Sequence, residues 1–154
     1  FTTPDSRLST LDSLCHHPPM PPITTTAECT VTEKRSKFVA LAAPASTLAE
    51  AKKVVRKCSK RHRKSRHNCW ACRVRDDEGR LVEQARDDGE VGRPGMKLLE
   101  LLRGADLEGV VVVSRYFGGI KLGPAGVGRA FRAAGEGAIA DLKRKDARGA
   151  KTSP

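Results

Sequence analysis

The run GVVVVSRYFGGIKLGPAGVGRAF, residues 109–131, decides the fold. Gly109 to Arg115 is rich in β-branched Val, the pattern of a central strand covered on both faces. A glycine-rich turn, Phe117 to Gly123, follows, and Pro124 then stands where its fixed φ suits a first helical residue. Val127, Ala130, Phe131, Ala134, Ala138 and Leu142 continue at helical spacing, so strand, turn and long covering helix are read in succession. Lys143, Arg144 and Lys145 fall at the expected C-terminal end of that helix, where positive charge complements the macrodipole.

Working upstream, Lys37 to Leu41 reads as a short strand ending near Pro44. Thr47 and Glu50 make a T-x-x-E capping box, and Leu48, Ala51, Val54, Val55 and Cys58 then fall on one arc of a helix whose other half is basic. Asn68 to Arg75 and Arg80 to Ala85 read as two strands joined by the turn Asp76, Asp77, Glu78, Gly79. After a loop over 86–95, a short helix from Pro94 or Gly95 to Arg103 puts Met96, Leu99 and Leu102 on one side, and Gly104 stops it. This order predicts an α+β two-layer sandwich, a mixed sheet of four to five strands with three helices on one face. The expected boundaries are an extended tail over 1–29, a domain over 30–146 and a second tail over 147–154.

With 154 residues, 38% hydrophobic and 31% charged, the chain has room for one ordinary domain and some tail, which excludes a two-domain enzyme. Its longest aliphatic run, Val110 to Val113, is far short of the roughly 18 apolar residues of a membrane helix. Residues 1–26 hold five of the nine prolines, including PPMPP, a composition that does not fold alone. Residue 1 is Phe, so the chain reads as a fragment or a processed product, consistent with a targeting segment removed upstream. Five cysteines, an odd number, point to a reducing compartment.

The net charge of +11 is concentrated. Lys52, Lys53, Arg56, Lys57, Lys60, Arg61, Arg63, Lys64 and Arg66 put nine cations into fifteen positions without an acid, leaving twenty cations against eighteen acids elsewhere. The plain reading is a solvated helix face; the functional one is a polyanion site, for nucleic acid above all. Membrane-surface binding is weaker, because the helix offers no aromatic anchor.

Three strings in order, RHNCWACR (Arg66 to Arg73), DDGE (Asp87 to Glu90) and RYFGGIKLGPAGVGRAF (Arg115 to Phe131), resemble the Impact N-terminal domain family, the YigZ and IMPACT-like proteins. The resemblance covers about 100 residues and implies a fold like the second domain of ribosomal protein S5, several of whose kin touch RNA. Departures matter as much. The usual loop is replaced by DDGEVGRPGMKLL, and Gly123, Pro124, Ala125, Gly126 stand where the family has GTGG, which removes one backbone N–H from a turn suited to anions. Relatives carry a mixed or acidic helix where this chain has its basic one. Eukaryotic members are preceded by an RWD domain that recruits an activator of a stress kinase, and only about 30 residues precede the module here, so that partner is not implied.

Cys58, His62, His67, Cys69 and Cys72 invite a zinc reading, but Cys69 and Cys72 on one strand point to opposite faces, and no metal or other cofactor is expected. Asp87, Asp88 and Glu90 lack a nucleophile or base at a defensible spacing; they are expected to cap the next turn or pair with Arg86 and Arg93, and no enzyme is expected. With only Trp70 near the strip, shape and backbone recognition of folded RNA fits better than stacking on single strands. The sequence thus predicts a non-catalytic RNA-binding protein, a component or close associate of a ribosome, organellar and most concretely mitochondrial. Its RNA contacts are the nine cations of 52–66 together with Lys121, and its tail reaches neighbouring ribosomal proteins. No membrane and no small-molecule substrate are expected. The alternative is a cytosolic translation regulator or actin-binding module of the kind the family includes.

Overall fold

The computed structural model describes Ile23 and residues 25–152, with side chains as far as residue 147. Five strands, β1 (Ala27–Glu33), β2 (Ser36–Ala43), β3 (His67–Arg75), β4 (Leu81–Arg86) and β5 (Gly109–Tyr116), form one sheet in the order β1-β2-β5-β3-β4. Three helices complete the fold, α1 (Leu48–Arg61), α2 (Pro94–Ala105) and α3 (Gly123–Thr152). The α+β class is as expected, and β5 is the central strand, buried from Gly109 to Arg115.

Two details of the expected architecture are corrected. Every neighbouring pair in the sheet is antiparallel, so the sheet is not mixed. The helices do not share a face either. Cys69, Ala71, Val111 and Val113 pack with Phe38 against α2 and α3, whereas Trp70, Cys72, Val74, Val110 and Val112 pack against α1. Successive strand residues point to opposite sides, so β3 and β5 are buried almost throughout because both their faces are covered. The molecule has three layers, one helix on one side and two on the other. On the two-helix side Phe38 and Phe131 meet edge to face, centroids 5.1 Å apart at 79°.

The folded unit begins before residue 30 and runs past 146. Ile23 is buried and donates its N–H to the Glu108 carbonyl at 3.0 Å, and β1 starts at Ala27. Residues 1–22 and 24 of the tail expected over 1–29 lie outside the described residues. Helix α3 continues to Thr152, so Lys143 to Lys145 lie inside it and not in its last turn. Two of them act laterally: Lys145 donates to the Thr26 carbonyl at 2.9 Å and reaches Asp141 at 3.8 Å, and Arg144 pairs with Asp141 at 3.4 Å.

Local chemistry moves other boundaries. Gly104 does not stop α2; the chain leaves the helix at Asp106, left-handed at φ 54°, whose N–H reaches the carbonyls of Leu102 and Arg103. Strands β1 and β2 join through Lys34 and Arg35 alone, both left-handed at φ 45° and 69°, the geometry of a two-residue hairpin normally made by Asn-Gly. The tip of this hairpin leaves Gly118 no room for a side chain, because a Cβ there would collide with the Arg35 carbonyl.

Candidate nucleic-acid interface

Helix α1 starts as expected. Thr47 Oγ1 accepts the Glu50 N–H at 3.2 Å, while the Glu50 carboxylate reaches one residue past the cap to the Ser46 N–H at 2.7 Å. Ala51 and Cys58 are buried against the sheet, with Leu48, Val54 and Val55 half-buried beside them. That anchoring turns Lys52, Lys53, Arg56, Lys57, Lys60 and Arg61 outward, and all six are exposed. The helix ends at Arg61, with the His62 N–H closing on the Cys58 carbonyl at 2.8 Å. Arg63, Lys64 and Arg66 are also exposed, but they lie on the connection to β3, so the strip is a helix face continued by a loop. Among the described residues only Arg61 of these nine meets a carboxylate, Glu28 at 2.8 Å between two exposed side chains. Such a pair contributes little, about 0–1 kcal/mol. Trp70 lies under α1, 8% exposed, and so offers no stacking platform.

Arg66 links the strip to a second feature. Its guanidinium lies 5.0 Å from the centre of the Phe117 ring, and both line a cavity of about 400 Å³ that also takes in His67, Glu90, Arg115, Lys121 and the start of α3. Lys121 therefore joins Arg66 at this cavity and is not part of the α1 face. Arg115 is a buried cation, its side chain 7% exposed, held by Glu90 at 2.9 Å and by the rings of Phe38 and Phe117, each 5.6 Å away. His67 Nδ1 lies 2.7 Å from the Asp88 carbonyl, which can only accept, so that nitrogen carries a proton and Nε2 faces Glu90 at 3.8 Å. Val91 and Phe117 at the cavity, and Ile120 in the adjoining turn, are exposed apolar side chains.

The profile of the Impact N-terminal domain matches residues 34–139. The chain belongs to this family. It is 38% identical over 100 residues to the IMPACT family member YvyE of Bacillus subtilis, covering 64% of this chain and 45% of that protein. It is likewise 38% identical over 109 residues to Protein IMPACT of Rattus norvegicus, covering 68% of this chain and 33% of the relative. The chain thus spans a third to about half the length of such relatives. Two solved structures share the fold. One, described as a hypothetical protein, superposes with a TM-score of 0.71 at 28% identity over 76% of this chain and 58% of its own. The other, the two-domain translational regulator Yih1, gives 0.51 at 25% identity over 88% and 58%.

Within this Impact N-terminal domain the three strings quoted from the sequence converge. Asn68 at the start of β3 donates its N–H to Asp88 at 2.8 Å and accepts the Ser114 hydroxyl on its side chain at 2.6 Å, while Glu90 holds Arg115. Asp87 Oδ1 accepts the Gly95 N–H at 2.9 Å in the first turn of α2, the capping role expected of this cluster. Glu90, however, pairs with Arg115 and not with Arg86 or Arg93, because it turns toward the sheet end and is 4% exposed. Cys69 and Cys72 do belong to opposite faces of the sheet. Burial pushes the thiols of Cys58, Cys69 and Cys72 up, most strongly at Cys69, where Glu90, Asp88 and Asp87 add to the effect. Thiols held neutral in this way are poor nucleophiles and poor metal ligands. Sequence reasoning missed Arg115, His67, Glu90 and Phe117 as one constellation; a charged residue ending the most apolar strand was the available signal.

Proposed function

We propose that this protein acts in translation as a non-catalytic RNA-binding protein, a component or close associate of a ribosome, with the mitochondrial ribosome as its setting. The observation that carries the reading is the exposed cationic strip, Lys52 to Arg66, in which Arg61 alone meets a carboxylate among the described residues. A structural cause for so many cations would show as ion pairs or as stems covering apolar surface; here the apolar side of α1 is already covered by the sheet. Phosphates fit this surface, since each one neutralised releases counterions and the binding is indifferent to base sequence. Folded RNA is the preferred form, because the strip is helical and α1 carries no aromatic stacking group. The N-terminal segment would extend the contacts to neighbouring ribosomal proteins. No catalytic residue, membrane contact or small-molecule substrate enters this reading.

A second reading, a cytosolic translation regulator or actin-binding module, draws support from the likeness to Yih1, which is described as a translational regulator. Sedimentation of a lysate on a sucrose gradient, with and without ribonuclease, separates the two. The ribosomal reading expects the protein in ribosomal fractions and its release to the top after digestion. Migration as a small free protein in both arms contradicts it and favours the regulator.

A further inference from the structure

The two ends of the sheet use their cations differently. At the end where β5 begins, Arg73 meets Glu83 at 3.0 Å, Arg75 pairs with Glu108, and Arg80 lies 3.0 Å from Asp76 and 3.2 Å from Glu78. Arg103 adds a further contact to Glu83 at 2.8 Å. At the end where β5 finishes, the β1–β2 hairpin contributes Lys34, Arg35 and Lys37, and the connection from α1 to β3 contributes Arg63, Lys64 and Arg66. Lys121 comes from the turn between β5 and α3. These connections meet: Lys37 stands opposite Tyr116 in the β2–β5 register, Tyr116 hydrogen-bonds His62 just after α1, and Gly118 donates its N–H to Ser36 Oγ at 3.3 Å. All of these cations are exposed, and among the described residues none of them meets a carboxylate. Of the acids nearby, Glu90 is held by Arg115 and Asp88 accepts the Asn68 N–H, while Glu33 lies beside the hairpin tip.

Two further features single out this end. Lys34 and Arg35 both hold left-handed backbone, at φ 45° and 69°, which Asn-Gly adopts at lower cost, so the turn itself gives no reason for two cations. Phe117, 40% exposed, is the one exposed aromatic ring among the described residues, and the Arg66 guanidinium lies over it, 5.0 Å from its centre. Cations beside an exposed ring suit unpaired nucleotides, because the cations follow the backbone while the ring stacks on a base.

We propose that this end of the sheet is a second RNA contact, which takes an unpaired stretch adjoining the folded RNA on α1. Its backbone runs past Lys34, Arg35, Lys37 and Lys121, and one base stacks on Phe117. Arg66 is exposed and can exchange the ring for a phosphate, whereas Arg115, buried beside the same ring, stays with Glu90. RNA is favoured over an acidic protein because Arg63, Lys64 and Arg66 belong both to the strip and to this end, so one continuous polyanion spans the two. The inference rests on the RNA reading above and narrows it to a junction between a helix and a single strand.

Fluorescence anisotropy of the whole chain with an RNA hairpin, and with the same hairpin extended at either end by a short single strand, tests this at fixed salt. One of the extensions is expected to tighten binding at least about fivefold, the effect of one stacked base. Phe117→Leu, which keeps an apolar side chain at an exposed position, should abolish that gain and leave the bare hairpin bound as before. Lys34→Asn with Arg35→Gly should also weaken binding of the extended hairpin while raising the urea midpoint, so a loss of affinity there is not a loss of fold. Equal affinity for bare and extended hairpins, or full affinity in either variant, overturns the second contact and leaves the α1 reading standing. Failure to bind any of these RNAs overturns both. Polyglutamate bound as tightly as the extended hairpin, with the same loss in Phe117→Leu, assigns the surface to an acidic protein and overturns the proposal.

Discussion

Replacing Glu90 by Ala strands the Arg115 guanidinium in a buried position. Both side chains are nearly inaccessible, 4% and 7% exposed, and lie 2.9 Å apart, so water cannot readily take the place of the missing carboxylate. Removing one partner of such a pair costs about 3–5 kcal/mol. The Phe38 and Phe117 rings soften this, since a cation over an aromatic face gains about 0.5–2 kcal/mol. A loss near 3 kcal/mol is therefore expected, which at about 3–6 °C per kcal/mol lowers Tm by roughly 10–20 °C. Glu90→Gln keeps an acceptor for Arg115 and should lose about half as much, within the 1.5–3 kcal/mol typical of a hydrogen bond to a charge. Replacing both residues, Glu90→Leu with Arg115→Met, leaves no charge to strand and should cost less than Glu90→Ala alone. Urea unfolding followed by the single Trp, buried on the opposite face of the sheet, reads all three variants. A loss below about 1 kcal/mol for Glu90→Ala would refute the reasoning, because it would mean the pair is effectively solvated.

The hairpin tip should accept improvement: Lys34→Asn with Arg35→Gly relieves two left-handed residues and is expected to raise stability by about 1 kcal/mol, seen as a higher urea midpoint at unchanged slope. Burial first, and then Arg61, push the His62 imidazole below its ordinary value. The unfolded chain therefore binds the proton more readily, so stability is complete above about pH 6.5 and declines as pH falls through that value. His62→Gln should flatten this decline in unfolding curves between about pH 7.5 and 5, and equal slopes for the two proteins would exclude His62 as the cause. In a Cys15→Ser background, a thiol reagent at mild alkaline pH should label half-buried Cys29 first and reach Cys58, Cys69 and Cys72 only on unfolding; uniform labelling would contradict their burial.

The parts of the fold legible in the sequence were those with strong local signals. Val110 to Val113 could only be a covered strand, and the Thr47 cap with its apolar arc fixed both the start and the buried side of α1. Strand β1 was missed because its turn, Lys34-Arg35, carries none of the Gly or Asn that normally marks a two-residue hairpin. The second covered face was encoded in β3, where Trp70, Cys72 and Val74 alternate with Cys69 and Ala71. Element order alone does not say which side a helix crosses, so α1 was expected beside the other two. Gly104 looked like a helix stop, but the chain leaves the helix only at Asp106, where the left-handed turn is made. The cationic strip was legible because charge adds along a sequence and solvent-facing Lys and Arg need no partner. The cavity was not, since His67, Glu90 and Arg115 come from three separate segments that only the β3–β5 pairing and the loop before α2 bring together.

The central claim is that the outer side of α1 contacts sugar-phosphate. Its most direct test is the affinity for a folded RNA measured against salt, for the native chain and for a variant with Lys52, Lys53, Arg56, Lys57 and Lys60 all changed to Gln. These side chains are exposed, so the variant retains the fold. The account predicts a log–log slope shallower by about 0.7–0.9 for each phosphate that the variant no longer neutralises, together with weaker binding at every salt concentration. An unchanged slope and affinity would contradict it.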